Sequence, residues 1–252
     1  MNPPARGNPS RLILSLALGL VTVSVASSFQ IDRGGTAARA VPRDEEWWMN
    51  AHRSILERSR KSVDLLFLGD SITHRWQDND VWRQFYGGRN AANYGIPGDQ
   101  TEHLLWRVTH DEVQGIQPKV VVLMIGTNNI GRNTPSEIAE AIKQIVQELR
   151  SRLPKSKILV LGVLPRSENQ STEFVKTHDS AKTDTQTAEI NGRLARLSDR
   201  SMVRYLDLRQ NFLDREGLVP KALMLDFLHL SDQGYRVWAE AMEPLLQEML
   251  AG

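Results

Sequence analysis

The run Val63-Asp64-Leu65-Leu66-Phe67-Leu68 is apolar at five of six positions and stops at Gly69-Asp70-Ser71. A short continuous apolar run that ends at a glycine reads as a strand covered on both faces, as strands of parallel sheets are. Residues 91–94, 120–125, 158–163 and 203–206 read as further short strands, of which 120–125 is the clean apolar repeat of the first. Between these runs lie stretches of helical periodicity, 101–114, 135–153 and 188–199, and a last one at 232–250 closes the chain. In 135–153 the apolar positions Ile138, Ala141, Ile142, Ile145, Val146 and Leu149 fall on one face. Residues 44–61, with Trp47, Trp48, His52, Ile55 and Leu56 among charges, predict an amphipathic helix before the first strand, capped by Asp44. Strands alternating with helices imply βαβ units and a parallel sheet. Most of the tryptophans Trp47, Trp48, Trp76 and Trp82 are expected in the core.

The chain has 252 residues, enough to bury a sizeable core in a single domain. Its 31 basic and 30 acidic side chains leave no field that would draw nucleic acid. The absence of cysteine excludes disulfides, a thiol nucleophile and thiolate metal sites. Arg6 and Arg11 precede an uncharged run over 12–26, followed by the small residues Ser27 and Ser28. Residues 1–28 therefore read as a secretory signal cleaved after Ala26, with an uncleaved membrane anchor as the competing reading. Either way the folded part is expected to be exported, and a membrane is a partner only for an anchor. Residues 29–43 read as a linker, 44–252 as the domain, and 167–187, rich in Ser and Thr, as a polar surface loop.

In an open α/β sheet, ligands bind beyond the carboxyl ends of the strands, and Ser71 sits just past one of them. A serine hydroxyl becomes a nucleophile when a base takes its proton and a third group orients that base. Of the six histidines, His229 has Asp226 three residues before it, so one turn can present both side chains. The oxyanion of an acyl transfer needs N–H donors. The backbone N–H groups of Ser71 and Gly98 and the side-chain amide of Asn128 lie at strand ends and could supply them. Each residue alone also suits a helix cap or a turn; the coincidence of four such features at one sheet edge is what argues for a site. No His-x-x-x-His pair or other metal-ligand spacing is present, so neither metal nor cofactor is expected.

Gly69-Asp70-Ser71-Ile72, Asn93-Tyr94-Gly95-Ile96-Pro97-Gly98-Asp99, Gly126-Thr127-Asn128-Asn129 and Asp226-Phe227-Leu228-His229 resemble, in order, the four blocks of the GDSL/SGNH hydrolase superfamily. More narrowly, the segments Leu105-Trp106-Arg107, 118–122, 158–166 and 226–235 resemble the catalytic subunits of intracellular platelet-activating factor acetylhydrolases. The resemblance implies a flavodoxin-like three-layer α/β/α sandwich with about five parallel strands. It implies Ser71 as nucleophile, His229 as base and Asp226 as its orienter, with Ser71, Gly98 and Asn128 forming the oxyanion hole and Asp70 and Asn129 bracing the turns. The expected reaction is hydrolysis of short-chain, above all acetyl, esters on an O-acetylated carbohydrate, with an acetylated phospholipid or lysophospholipid as the alternative. The relatives form dimers, so a homodimer is compatible with the resemblance. Thr73 stands where Gly-x-Ser-x-Gly would need its second glycine, which argues against the α/β-hydrolase fold. A flavodoxin-like module that binds without turnover is the reading from another class. The carboxylate of Asp70, placed where a bound phosphate would sit, disfavours it.

Overall fold

The computed structural model describes Met1 and residues 35–58, 62–166 and 178–251, with side chains of the last stretch from Thr185 onward. Five strands, β1 (Leu65–Gly69), β2 (Ala91–Gly95), β3 (Val120–Met124), β4 (Lys157–Leu161) and β5 (Val203–Leu206), form one sheet in the order β2-β1-β3-β4-β5. Every pairing is parallel. β1 and β3 are buried at all five positions, which explains why they are apolar without alternation.

Among the described residues seven α-helices connect and cover the strands: α1 (Glu46–Arg58), α2 (Ser71–His74), α3 (Asp80–Tyr86), α4 (Thr101–Thr109), α5 (Pro135–Arg152), α6 (His178–Leu194) and α7 (Asp232–Ala251). Alternate strand residues point to opposite faces. Leu66, Leu68, Val121, Leu123, Ile158 and Val160 pack under α1, α4, α5 and α6. Leu65, Phe67, Val120, Val122, Leu159 and Leu161 pack under α2, α3 and α7. The result is the expected three-layer α/β/α sandwich. The chain passes from β1 to β2 on one side and then crosses to β3 on the other, so the turn after β1 lies at the point where strand order reverses, the usual ligand crevice of such sheets.

Local chemistry sets the helix ends. The side chains of Thr134 and Glu137 exchange hydrogen bonds with each other's backbone N–H at the start of α5, and Pro135 occupies the first helical position. α2 lies so close to β2 that a Cβ on Gly95 would come 2.4 Å from the His74 nitrogen, so only glycine fits there.

Several boundaries differ from the sequence reading. The helix expected over 101–114 ends at Thr109, where Asp111 takes a positive φ of 68° and turns the chain back. α1 starts at Glu46 rather than behind an Asp44 cap, with Glu45 O accepting from Trp48 N. Residues 178–187, read as loop, are the first turns of α6, and that helix ends at Leu194 rather than 199. Their Ser and Thr content hides a helix whose apolar contacts come late, at Ile190 and Leu194. The expectations for 1–28, 29–34 and 167–177 lie outside the described residues. From Gly35 on, the stretch read as linker is docked on the domain. Ala37 is fully buried, Thr101 Oγ1 donates to Ala37 O at 2.8 Å, and Asn133 Nδ2 donates to Thr36 Oγ1 at 2.9 Å. Trp48, Trp76 and Trp82 are core residues, whereas Trp47 is 48% exposed.

Candidate active site

Asp70, the last residue before α2, caps that helix by accepting from Ile72 N at 2.9 Å. Ser71 is thereby the first residue of a one-turn helix. Its own N–H has no acceptor within the helix, and its hydroxyl projects from a rigid strand end. Asn93 in the middle of β2 fastens α2 in place, donating to Thr73 O at 2.6 Å, and Tyr235 of α7 donates from its hydroxyl to Ile72 O at 2.7 Å.

The second half of the site comes from the irregular stretch before α7. Asp226 folds its own turn: Oδ1 accepts from the backbone N–H of Leu228 at 3.1 Å and of His229 at 2.6 Å. Phe227, between them, has φ 58°, a conformation disfavoured for a large side chain. It is held there because its ring is buried under the turn. The turn aims both functional side chains one way. Asp226 Oδ2 lies 2.6 Å from His229 Nδ1, and His229 Nε2 lies 3.0 Å from Ser71 Oγ, across 158 residues of sequence. Hydroxyl, imidazole and carboxylate are in series, the order in which a proton can pass from oxygen to ring nitrogen while the ring stays oriented. Burial pushes the Asp226 carboxyl up, but the hydrogen bonds from the His229 side chain and from the two backbone N–H groups outweigh it and hold its pKa at about 2.

The expected oxyanion donors gather at the neighbouring strand ends. Gly98 lies in the turn after β2 with φ 77°, and its N–H has no acceptor among the described residues. Asn128, half-buried after β3, donates one amide hydrogen to Asp99 O at 2.9 Å, which sets its side chain beside the Gly98 turn. Asn129 is fully buried and structural: Oδ1 accepts from Thr101 N at 2.9 Å and Nδ2 donates to Glu102 and Asn133. Asp70 and Asn129 are thus both held by hydrogen bonds at the turns after β1 and β3.

A buried network behind the site was not visible in sequence. Arg107, wholly inaccessible, donates from Nε to Asp99 Oδ2 at 2.7 Å, from Nη1 to Tyr94 O at 3.0 Å and to Glu112, and from Nη2 to Gly69 O at 3.2 Å. It thus ties the ends of β1 and β2 to the residue that follows Gly98. Trp48 Nε1 adds a 2.6 Å bond to Asp99 Oδ1, and His52 Nδ1 lies 3.2 Å from Glu112. Burial alone would lower the Arg107 pKa, but Glu112 and Asp99 reverse this and raise it above its ordinary value, so the guanidinium stays charged.

Asp70 behaves differently. Burial, opposed by the Ile72 N–H and reinforced by the nearby Asp99, raises its pKa to about 7. Between its ordinary value and about 7 the folded protein keeps a proton that the unfolded chain has released, so this group makes stability fall as pH rises through that window. Asp70→Asn keeps an oxygen for Ile72. It is expected to melt with the parent near about pH 4 and at least about 3 °C above it near about pH 8. Thermal unfolding at both pH values checks this, and an unchanged difference between parent and variant would contradict it.

The chain matches the model of the GDSL-like Lipase/Acylhydrolase family over residues 67–237. It is 35% identical over 215 residues to platelet-activating factor acetylhydrolase IB subunit alpha2 of Rattus norvegicus, covering 85% of this chain and 89% of the relative. Among solved structures it is similar to a GDSL-like lipase from Bacteroides thetaiotaomicron, with TM-score 0.58 at 18% identity over 76% of this chain and 90% of that one. A carbohydrate esterase family 3 protein from Talaromyces cellulolyticus gives TM-score 0.55 at 20% identity, over 75% of this chain and 98% of that one. The family match over residues 67–237, together with a relative aligned along most of both chains, makes this chain a member of the GDSL-like lipase/acylhydrolase family and a hydrolase of ester bonds.

Proposed function

We propose that the chain is a serine esterase that removes a short acyl group, acetyl first, from an O-acetylated carbohydrate. The observation that supports this most is the Ser71 hydroxyl lying 3.0 Å from an imidazole that is itself backed by a carboxylate at 2.6 Å. In this reading Ser71 Oγ attacks the ester carbonyl carbon while His229 Nε2 takes its proton. Asp226, ionised at any pH well above 2, orients the ring and stabilises the imidazolium. The charge that develops on the carbonyl oxygen is met by the N–H groups of Ser71 and Gly98 and the amide of Asn128. His229 returns the proton to the leaving alcohol, then takes one from the water that attacks the acyl-serine and passes it to Ser71 Oγ as the acid departs. No cofactor enters this scheme.

A carbohydrate alcohol is supported by the surface beside Gly98. Arg43, Asp44, Glu45, Gln100, His103 and Arg132 line a cleft of about 340 Å³ there. Hydrogen-bonding groups of both signs suit a ligand rich in hydroxyls and offer a lipid tail little apolar wall. The Talaromyces neighbour is itself a carbohydrate esterase. A second reading, an acetylated phospholipid or lysophospholipid, is favoured by the rat relative, a platelet-activating factor acetylhydrolase subunit.

Hydrolysis of p-nitrophenyl esters from acetyl to octanoyl tests the acyl side. The acetyl ester is expected to exceed the octanoyl in kcat/KM by at least about tenfold, and activity rising with chain length would overturn the short-acyl reading. Acetate release from acetylated xylo-oligosaccharide against an acetylated glycerophospholipid then decides the alcohol.

Export is part of the same proposal, carried by Arg6, Arg11 and the uncharged run 12–26. Among the described residues no helix is long and apolar enough to cross a membrane. A cleaved signal predicts a mature amino terminus at Ser27 in the exported protein, whereas an intact Met1 on a membrane-bound form would point to the anchor. A homodimer, compatible with the family resemblance, would show as twice the chain mass in solution.

A further inference from the structure

Ile96-Pro97-Gly98-Asp99 is a tight turn closed by Asp99 N donating to Ile96 O at 3.3 Å. Proline in its second position and a glycine with φ 77° in its third mark it as type II. Types I and II differ by a rotation of about half a turn of the peptide between those two residues. Here that peptide contains the Gly98 N–H, one of the three oxyanion donors of the reaction proposed above. Glycine accepts negative φ as readily as positive, so the residues of the turn do not by themselves bar the flipped form, in which the donor would face the wrong way.

Arg43 grips the other end of the same peptide. Its Nη1 donates to Pro97 O at 3.0 Å. In a trans peptide the C=O and N–H point in opposite directions, so anchoring the oxygen on one side fixes the hydrogen on the other. The guanidinium is held in turn: Nε and Nη2 donate to Glu45 at 3.2 and 2.6 Å, and its carbon stands 4.9 Å from the centre of the Trp47 ring. A cation on the carbonyl also draws electron density from the amide, which strengthens its N–H as a donor. Arg43 and Glu45 lie in the docked stretch and Trp47 in the first turn of α1, all three before residue 67, where the family match begins.

We propose that Arg43 is a positioning residue for catalysis at Ser71, acting through the Pro97 carbonyl to hold and polarise the Gly98 N–H toward the oxyanion. The proposal rests on the serine-esterase reading. It gives the exposed Trp47 a role, since stacking and the Glu45 fork together keep a surface arginine in one conformation.

The test is steady-state hydrolysis of p-nitrophenyl acetate by the full chain carrying Arg43→Met, Arg43→Lys, Glu45→Gln or Ser71→Ala. A p-nitrophenyl phosphonate titrates the active sites, so that kcat is counted per folded site. Loss of one oxyanion donor costs on the order of a hundredfold in kcat, and a donor left in place but free to turn away costs less. Arg43→Met is therefore expected to lower kcat by about tenfold with KM within about twofold, and to slow phosphonylation of Ser71 in parallel. Arg43→Lys, which still donates to Pro97 O, recovers part of the loss, and Glu45→Gln falls between it and the parent. Unchanged kcat in Arg43→Met, or a loss wholly in KM, overturns the proposal; should that variant not fold, an unchanged kcat in Glu45→Gln does so. Activity that survives in Ser71→Ala removes instead the reading beneath it.

Discussion

Ser71→Ala is expected to lower kcat on p-nitrophenyl acetate by about 10⁴-fold or more, and His229→Ala to do nearly the same. The two losses should not add, because either substitution breaks the same proton path between Oγ and Nε2, a 3.0 Å contact. Neither should unfold the chain. Ser71 contributes its backbone to α2, which alanine preserves, and the cap on that helix belongs to Asp70. The His229 ring is partly accessible, at 16% of its side-chain surface, and its backbone N–H to Asp226 survives truncation. Matching melting curves with activity lost in both variants fits the proposed roles. Folded Ser71→Ala protein with full activity would exclude them, and parent protein with no activity above the variants would favour the binding module.

Arg107→Met should give the largest loss of stability. The side chain is inaccessible and ion-paired to Asp99 and Glu112, both also inaccessible. Methionine fills similar volume but leaves two buried carboxylates facing a thioether. Breaking a buried pair by removing one partner costs about 3–5 kcal/mol, a large part of the total stability of an ordinary domain. The expected result is a melting temperature lower by about 10 °C. Adding Glu112→Gln to Arg107→Met should recover part of the loss, because it withdraws one stranded charge. kcat should fall as well, since Arg107 also holds Gly69 O and Tyr94 O, the carbonyls at the strand ends that flank Ser71 and Gly98. A melting temperature equal to the parent's would show that the network does not support the fold.

These two sites mark where sequence was informative and where it was not. β1 and β3 were legible because each is a short apolar run with both faces covered, so a plain hydropathy signal suffices, whereas β2 and β5 carry Asn93 and Arg204 and were placed by the alternation of strands with helices. Ser71, Asp226 and His229 were legible because each stands in a short block whose neighbours shape it locally: a capped turn for one, an Asp-x-x-His turn for the others. The Arg107 network has no such block. Trp48 and Asp99 are 51 residues apart and His52 and Glu112 are 60 apart, so only the packing of α1 on α4 brings them together. The docked stretch 35–45 was hidden for a related reason. Its single buried apolar side chain is Ala37, and it is held further by hydrogen bonds from Thr101, Asn133, Arg43 and Val41 N, which leave no periodicity. The start of α6 was missed because Ser and Thr favour turns when packing does not decide.

Capture of the acyl-enzyme would test the central claim most directly. The parent protein is mixed with p-nitrophenyl acetate, quenched in acid within the first turnovers, digested, and its peptides are weighed. An acetyl group on the peptide that contains Ser71, absent from Ser71→Ala, is the predicted result. Hydrolysis that proceeds with Ser71 unmodified, or with acetyl on another residue whose replacement abolishes activity, would contradict it.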